Sequence, residues 1–403
     1  MDARKFVDHI REKARKGLDK PSPYGPDVDI SEYAIASGDA DLWSPEVVRR
    51  ASEVGVDTSS EKVPGYFYQV DSIVKMYRSM VPGLEIMRIE EALEQRFDEV
   101  KPYVWRLVGP DTDKYVALVA LRGVGGFFIR VKKNTRVSMP VQTCFFLTSG
   151  AQLLHNVVVL EPGAELTLVT GCTVMRERPG LHVGVTEAYV GEGAKLIDVM
   201  VHSWNEAMHV RPRTAVEVEQ GGSYVSYYVN LSRVKTLQTL PRVKLVGDNA
   251  QAYAASIVLG LEDAHLDVGN HVELSAPSTS AQNISKVVAR DRSKVVSRIV
   301  VEGGAPHVKG YIECSGLMLS PEAFIETVPV LRSRVREAEL YHEASIGRLR
   351  DEDVAYLIAK GFTEREAVAM LIRGFVEVDL RFLTPQLVKA LRKVLDMVAE
   401  RSL

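Results

Sequence analysis

Turns of one recurring kind dominate the middle of the 403-residue chain. A Gly-Ala-x-Leu pattern occurs at residues 150–153, 163–166 and 193–196, with a variant at residues 263–266. Gly193 follows Gly163 by 30 residues, and Gly222 follows Gly193 by 29 residues. Turns at this spacing predict a solenoid, because each coil of a solenoid buries its apolar face only against the neighbouring coils.

The segments between these turns have the composition of β-strands. Runs rich in Val, Ile, Leu and Tyr occur, for example, at residues 115–119, 155–160 and 297–301, and such residues favour strands. No helical pattern of 10–15 residues interrupts them, which argues against βαβ units. We therefore expect a mainly β protein built on a parallel β-helix. An antiparallel sandwich is the structural alternative, although it would show less fixed periods.

Helical patterns flank this region, and they cover residues 6–20, 44–51, 88–100, 353–360, 363–375 and 384–398. Ser44-Pro45 predicts a helix start, because Ser is a favoured N-cap and Pro a favoured first helical residue. The expected organisation is a helical region over residues 1–110, the β-helix over 111–349 and a C-terminal helical domain over 350–403. The helical parts are expected to cap the ends of the solenoid, since open coils expose strand edges.

A capping box at Thr363 opens the second C-terminal helix, because its hydroxyl and the Glu366 carboxylate can satisfy each other's backbone N–H groups. The helical spacing predicts inward positions for a set of apolar residues in this helix. They are Ala367, Met370, Leu371 and Phe375.

The composition excludes several function classes. The formal net charge is −3 without a clustered basic excess, so we expect no nucleic-acid partner. The sequence contains no run of 18 apolar residues, so we expect no membrane span. The first residues also lack the apolar stretch of a signal peptide. The cysteines, Cys144, Cys172 and Cys314, form no CxxC pair, which argues against disulfides and structural zinc. We therefore expect a cytoplasmic protein with free thiols.

The common enzyme motifs are missing. The chain has no GxxxxGK(S/T) loop, no GxSxG elbow and no HExxH pair, which would indicate phosphate binding, nucleophilic catalysis or zinc hydrolysis. Residues 123–128 begin like GxGxxG but end in Phe128, so we interpret them as a turn between strands. The nine histidines are scattered, and a lone histidine is more often structural than a ligand. We accordingly expect a protein that is not an enzyme.

One group of residues stands out near the end of the solenoid. Cys314 lies in a strand, and Glu343, beside His342, follows it by 29 residues. Residues one coil apart stack at the strand spacing of about 4.8 Å, so a thiolate, an imidazole and a carboxylate are expected to converge. These groups are ligands for iron and for iron–sulfur clusters. In the alternative interpretation, Cys314 is a core residue and the His342-Glu343 pair belongs to a connector.

Several segments resemble the SufB/SufD family, the scaffold subunits of the SUF iron–sulfur assembly machinery. The segments are TGCT at 170–173, MVHSW at 200–204, VRPRT at 210–214, VKGYIECSGL at 308–317, HEASIGRL at 342–349 and AMLIRGF at 369–375. The resemblance covers most of the chain, from about residue 54 to residue 375, and is closest to archaeal SufB-like members.

The resemblance implies a right-handed parallel β-helix between helical domains, and a function in cluster assembly and transfer. Cys314 and Glu343 match SufB residues that hold the nascent cluster at a dimer interface, and His342 falls where SufD carries an interface histidine. Cys172 matches a cysteine that receives sulfur, and Trp204 lies on the implied path between the two sites. The implied cargo is a transient 4Fe-4S or 2Fe-2S cluster, and a flavin is left open.

The resemblance also implies partners. A SufC ATPase would dock on the C-terminal helices, for which Tyr356, Leu371 and Phe375 are the expected contact residues. A second SufB/SufD-type subunit would complete a homodimer or a heterodimer, and a cysteine desulfurase system would supply sulfur.

The chain departs from the family in the region of the sulfur-receiving strand. The Arg and Asn that SufB proteins often carry upstream are absent, and Cys144, for which core packing is the default, stands there. His202 replaces a glutamine and is included in the expected sulfur path. Two alternatives stay open: a SufD-like structural partner without its own cluster ligands, and a carbohydrate-active β-helix enzyme. The latter would show an acidic cluster on one face and an export signal.

Overall fold

The computed structural model describes residues 2–38, 41–58, 63–123, 125–148, 150–175 and 178–403. It is mainly β and contains a parallel solenoid of about eight turns, with helices towards both termini. The fold predicted from the turn repeat is confirmed. Across the described ranges, no helix is both long and apolar enough to cross a membrane.

The described part of the chain contains α-helices and strands that we number in chain order. The helices are α1 Ala3–Arg15, α2 Pro45–Glu53, α3 Ile89–Gln95, α4 Phe97–Val100, α5 Lys114–Arg122, α6 Asp351–Ala359, α7 Glu364–Phe375 and α8 Pro385–Arg401. The strands are β1 Gly65–Val70, β2 Ile73–Ser79, β3 Leu84–Arg88, β4 Phe127–Val131, β5 Val141–Leu147, β6 Gly150–Leu160, β7 Glu165–Val174, β8 Gly180–Val190, β9 Lys195–Ser203, β10 Met208–Val210, β11 Arg213–Val218, β12 Ser223–Asn230, β13 Thr236–Thr239, β14 Arg242–Leu245, β15 Gln251–Gly260, β16 His265–Leu274, β17 Ser280–Ala289, β18 Lys294–Gly303, β19 Lys309–Met318, β20 Phe324–Ser333 and β21 Glu339–Arg348.

The coils of the solenoid form two sheets. One has the order β2-β1-β5-β7-β9-β12-β15-β17-β19-β21, and we name it the cysteine sheet because β5, β7 and β19 carry the three cysteines. The opposite sheet contains the remaining strands, from β3 at one end to β20 at the other. The coils of the cysteine sheet pair in parallel, so each side chain stacks on its counterpart in the next coil.

A left-handed backbone at the turns explains the repeated glycine. In the turn before β12 this glycine is Gly221, so the spacing that aligned Gly222 with Gly193 was wrong by one residue. Gly163, Gly193 and Gly221 have φ angles of 70°, 62° and 62°, which residues with a Cβ atom rarely adopt. The N–H group of Gly193 donates to the carbonyl of Gln220 in the next coil at 2.8 Å. A Cβ atom at Gly193 or Gly221 would meet nothing within 4 Å, so the backbone angle and not the available space selects glycine there.

The two ends of the solenoid differ. At the N-terminal end, β2 pairs antiparallel with β1, and β3 pairs antiparallel with β4. At the C-terminal end, β20 pairs with β18 and β21 with β19, and neither has a second partner among the described strands. The interior residues Leu331 and Ile346 of these last strands are 38% and 43% exposed. The solenoid therefore ends in an open coil with unpaired strand edges.

The C-terminal helices lie on the outer face of the cysteine sheet and leave this last coil uncovered. Leu391 and Val394 of α8 belong to one core with Val199 and Val201 of β9. The capping box at Thr363 is present, which confirms that prediction. Among the residues expected to face inward from α7, however, Met370 is 41% exposed, and α6 buries none of its residues.

Two local predictions are wrong. Residues 115–119, expected to form a strand, belong to helix α5. The side chain of Asp113 accepts hydrogen bonds from the N–H groups of Tyr115 and Val116, which is the arrangement of an N-cap. Residues 123, 125 and 126 consequently lie between helix α5 and β4, which begins at Phe127, and do not join two strands; Val124 lies outside the described residues.

The N-terminal part is also less helical than expected. Residues 65–88 form the strands β1, β2 and β3, for which no strand was predicted. The helix expected over residues 88–100 is divided into α3 and α4 by Arg96, whose φ of −135° lies outside the helical region.

Candidate functional site

Cys172 lies in β7 and points into the solenoid. It shares the interior core with Leu168, and only 2% of its surface is exposed. Burial raises the pKa of the thiol, and the carboxylate of Asp198 raises it further. Cys172 is therefore a protonated thiol at neutral pH. Cys144 of β5 faces the other way and packs in the outer core with Val54.

His202 and Trp204 lie beside Cys172. In the parallel pairing of β7 with β9, Cys172 is opposite His202. Nδ1 of His202 lies 3.0 Å from the hydroxyl of Tyr228, and the His202 ring lies 5.3 Å from the indole ring of Trp204. The fold thus brings together the three residues that the family resemblance assigns to sulfur transfer.

His182 completes this group from the opposite sheet. Its ring centroid lies 4.8 Å from that of Trp204 and 6.1 Å from that of His202. Burial lowers the pKa of His182 to about 3 and that of His202 well below its ordinary value. Both imidazoles are therefore neutral. We call Cys172, His182, His202, Trp204 and Tyr228 the interior histidine cluster.

Sequence reasoning missed His182, because a lone histidine in an apolar strand has no distinguishing neighbour. One signal was available: Gln152 precedes His182 by 30 residues, which is one coil. The two residues are paired in the sheet, and Nδ1 of His182 lies 2.9 Å from Oε1 of Gln152. Polar residues one coil apart in otherwise apolar strands would have indicated an interior contact.

Inward side chains continue from the cluster towards the open end. The corresponding inward positions of successive coils, from β7 to β19, are Thr170, Met200, Tyr228, Ser256, Ser285 and Cys314. We call this row the interior ladder. Internal cavities of about 20 Å³ and 30 Å³ border it, the first beside Met200 and the second beside Ser256. Five strand steps of about 4.8 Å separate the two ends of the ladder, or about 24 Å.

Cys314 ends the interior ladder one coil before the open end. No part of the residue is exposed, and Ser285 lies opposite it in the preceding coil. Burial and then the charge of Glu313 raise the pKa of the Cys314 thiol to about 11. Like Cys172, Cys314 is a protonated thiol at neutral pH.

His342 shares the interior face with Cys314. In the pairing of β19 with β21, Cys314 lies opposite Ala344 and Ile312 lies opposite His342. Because side chains alternate between faces along a strand, His342 is on the same face as Cys314, displaced by two residues. It is exposed because no strand follows β21 among the described residues.

Glu343 lies on the outer face of β21. It is opposite Glu313, and the hydroxyl of Tyr311 donates to its Oε2 at 2.9 Å. The last coil has 30 residues and not the 29 that separate Cys314 from Glu343, so the expected stacking of these two residues does not occur. Within the described ranges, no group of three His, Cys, Asp or Glu side chains is placed to hold a metal ion.

A lysine connects the strand of Cys314 with the C-terminal helices. Nζ of Lys286 pairs with the carboxylate of Glu313 and lies 3.2 Å from Oγ of Ser315. The same atom lies 5.7 Å from the ring centroid of Phe375 in α7, within the range of a cation–π contact. The Lys286 side chain therefore links Phe375 of α7 to the strand that carries Cys314.

The three residues expected to bind SufC differ in accessibility. Tyr356 of α6 is 62% exposed, whereas Leu371 and Phe375 of α7 are half-buried. Phe375 packs against the outer core of the cysteine sheet. Tyr356 is thus free for an external contact, while Phe375 already has partners in its own chain.

Together these features define a class of protein: a parallel β-solenoid with two buried, inward-facing thiols and an open last coil. A family model described as the SufBD core domain of the SUF system for FeS cluster assembly matches residues 145–375. The chain belongs to the SufBD family, and its role is in iron–sulfur cluster assembly.

Similar proteins extend over almost the whole chain. An iron–sulfur cluster assembly SufBD family protein of Methanothermobacter thermautotrophicus is 37% identical over 399 residues, which cover 96% of this chain and 97% of the relative. One from Archaeoglobus fulgidus is 37% identical over 355 residues, covering 88% and 95%. One from Staphylococcus aureus is 28% identical over 364 residues, covering 87% and 78%. The family resemblance expected from the sequence motifs is confirmed.

Proposed function

We propose that this chain is a scaffold on which an iron–sulfur cluster is built and from which it is handed on. The cluster, of 4Fe-4S or 2Fe-2S type, is its cargo, and the chain is not itself an enzyme. The observation that carries the proposal is the interior ladder, which runs from the strand of Cys172 to Cys314 at the open end. Sulfur received at Cys172 would move within a solenoid interior that keeps bulk solvent away.

The open last coil supports assembly at Cys314. Thiolates are the preferred ligands of iron–sulfur clusters, and imidazole and carboxylate also bind iron. Cys314 and His342 lie on the interior face, whereas Glu343 lies on the outer face of the same coil. A cluster bound between them needs further ligands from outside this chain.

A second SufB/SufD-type subunit would supply those ligands. The edges of β20 and β21 are unpaired among the described residues, and an unpaired edge readily adds another chain. The exposed Leu331 and Ile346 would be buried by such a contact. A homodimer would bring two sets of Cys314, His342 and Glu343 towards one interface, and a related chain could take the second place.

A SufC-type ATPase is proposed to dock on the C-terminal helices. Helix α6 carries the exposed Tyr356 and buries no residue of its own chain. The contact of Phe375 with Lys286 offers a physical link from these helices to the Cys314 strand. We place the assembly in the cytoplasm, with a cysteine desulfurase system as the sulfur source.

Anaerobic reconstitution with iron and sulfide tests the proposal. We expect Cys314→Ala to lower the cluster absorbance at least about tenfold, because it removes a ligand, and Glu343→Ala to lower it less. Cys144→Ala is the matched control, since this thiol packs in the outer core, and it should reach the wild-type yield. Wild-type yields in both site variants would contradict the assignment.

A further inference from the structure

A cavity of about 140 Å³ lies between the N-terminal helices and the opposite sheet. Helices α1, α3 and α5 border it on one side, and β6 contributes His155 on the other. His155 alternates with Leu154, which belongs to the interior core, and so lies on the outer face of β6. Apolar and aromatic side chains form most of the cavity wall, as is usual for small-molecule sites. They are Phe6, Ile10, Ile89, Leu93, Trp105 and Val119.

A buried carboxylate fixes the imidazole of His155. Nε2 of His155 lies 2.8 Å from Oε2 of Glu187, and no part of Glu187 is exposed. Three backbone N–H groups also donate to this carboxylate, from Trp105 and Leu107 at 2.6 Å and from Val108 at 3.2 Å. An ionised carboxylate only accepts hydrogen bonds, so Nε2 of His155 is the donor in this pair.

The backbone of Trp105 has an unusual conformation. Its φ angle is 59°, in the left-handed region that residues with a Cβ atom rarely adopt. The indole of Trp105 lies over the imidazole of His155, with ring centroids 4.0 Å apart and the ring planes inclined by 30°. Strained backbone of this kind concentrates at functional sites. The conformation thus accompanies both the bond to Glu187 and the stacking on His155.

Nδ1 of His155 remains available as an acceptor. Nε2 is occupied by Glu187, and Nδ1 forms no hydrogen bond with a residue that the structure describes. In the neutral imidazole this second nitrogen carries a lone pair. Only 7% of the His155 side chain is exposed, and the residue borders the cavity. The apolar wall therefore includes one acceptor in a fixed orientation.

The size and charge of the cavity limit what can bind. An apolar cavity of about 150 Å³ holds one benzene molecule, so a cavity of about 140 Å³ has room for a single six-membered ring. Two charged residues border it. Oε1 of Glu90 already accepts from the N–H group of Gly125 at 2.7 Å, and Arg11 is exposed to solvent. Neither residue requires a charged ligand, whereas Nδ1 of His155 requires a donor.

We propose that this cavity binds a small aromatic molecule that carries one hydrogen-bond donor, the chemistry of a phenol. The ring packs against the apolar wall, and the O–H group donates to Nδ1 of His155. Glu187 acts as a positioning residue, because it holds the imidazole in one orientation and keeps its proton on Nε2. The site lies outside the solenoid interior and does not rest on the proposed function in cluster assembly.

Phenol and toluene test the proposal on the unaltered chain, because they share a ring and differ in the donor. We expect phenol to bind with a Kd about two- to tenfold below that of toluene, which is the effect of one hydrogen bond. Titration calorimetry measures both constants. A hydroxyl buried without an acceptor would instead weaken binding. Toluene binding as tightly as phenol or more tightly, or no saturable binding of phenol, would overturn the proposal.

The nitrogen resonances of His155 identify the contact atom without any substitution. In a long-range proton–nitrogen correlation spectrum, Nδ1 should have the chemical shift of an unprotonated nitrogen. Phenol should move this resonance, and toluene should leave it nearly in place. A protonated Nδ1 in the free protein, or bound phenol that does not affect Nδ1, would contradict the assignment of His155 as the acceptor.

Two variants locate the site. In His155→Leu the preference should reverse in favour of toluene, and this ratio is measured within one protein, so a general loss of stability does not mimic it. Leu93→Trp fills the cavity and should weaken binding of both ligands at least about tenfold. Leu380→Trp, at another half-buried leucine in the C-terminal region, is the matched control and should bind like wild type. An unchanged preference in the first variant, or unchanged affinities in the second, would overturn the proposed site.

Discussion

Cys172 and Cys314 occupy the same kind of position but have different surroundings. Both lie in the cysteine sheet, point inward and are almost fully buried. Coils continue on both sides of Cys172, and the neutral imidazole of His202 lies opposite it in the next coil. Cys314 is followed by one open coil that carries exposed charged residues. Position along the solenoid, and not residue type, therefore decides whether a thiol is enclosed by coils on both sides or lies near a surface.

The same substitution at two interior-facing histidines should give the largest difference in stability between the two regions. We expect His202→Asp to lower the free energy of unfolding by about 3–5 kcal/mol, because it buries an unpaired carboxylate. His342→Asp, on the exposed strand β21, should change it by less than about 0.5 kcal/mol. Urea unfolding followed by circular dichroism measures both. Similar losses at the two sites would mean that the last coil is as well sealed as the inner ones.

Thiol reactivity provides the second test, on chains that retain only Cys172 or only Cys314. Cys314 should react with iodoacetamide at least about tenfold faster, because a terminal coil opens more easily than an inner one. The thiolate is the reactive form, and the pKa of Cys314 is raised to about 11. Its rate should therefore keep rising with pH up to about 11. A plateau near pH 8.5, the value of a free thiol, would show that Cys314 is not buried in solution.

The smallest expected effect concerns two tyrosine hydroxyls. Tyr228→Phe removes the interior bond to His202 and should cost about 1 kcal/mol in the free energy of unfolding. Tyr311→Phe removes the exposed bond to Glu343 and should cost less than about 0.5 kcal/mol. Thermal unfolding of the two variants, with wild type as reference, gives the difference. A larger loss of unfolding free energy for Tyr311→Phe would contradict the expectation that the interior bond of Tyr228 contributes more to stability than the exposed bond of Tyr311.

The architecture could be predicted because its signals are local. Glycines of the repeat mark left-handed turns, and the capping box at Thr363 marks the start of α7. The local signals gave a wrong prediction where a short apolar run is compatible with both a helix and a strand. Residues 115–119 are buried in α5, and a short apolar segment cannot be assigned to helix or strand by its composition. Here the cap at Asp113 decided in favour of the helix.

The candidate site was predictable in its residues but not in its geometry. A step of one residue in register moves a side chain to the opposite face of a sheet. The 30-residue last coil therefore places Glu343 opposite Glu313 and away from Cys314. No spacing argument of the sequence distinguishes 29 from 30 residues when both occur in the same solenoid.

The solenoid, the family and the two thiols can be recognised in the sequence, because the turn repeat and the motifs consist of consecutive residues. Which side chains contact one another depends on the tertiary structure. His182 contacts Trp204 and His202 from the opposite sheet, and the spacing of these residues along the chain does not predict that contact. The last coil is open because the C-terminal helices bury their apolar faces on the side of the cysteine sheet. Such choices depend on packing between distant segments, which the repeat of one coil does not encode.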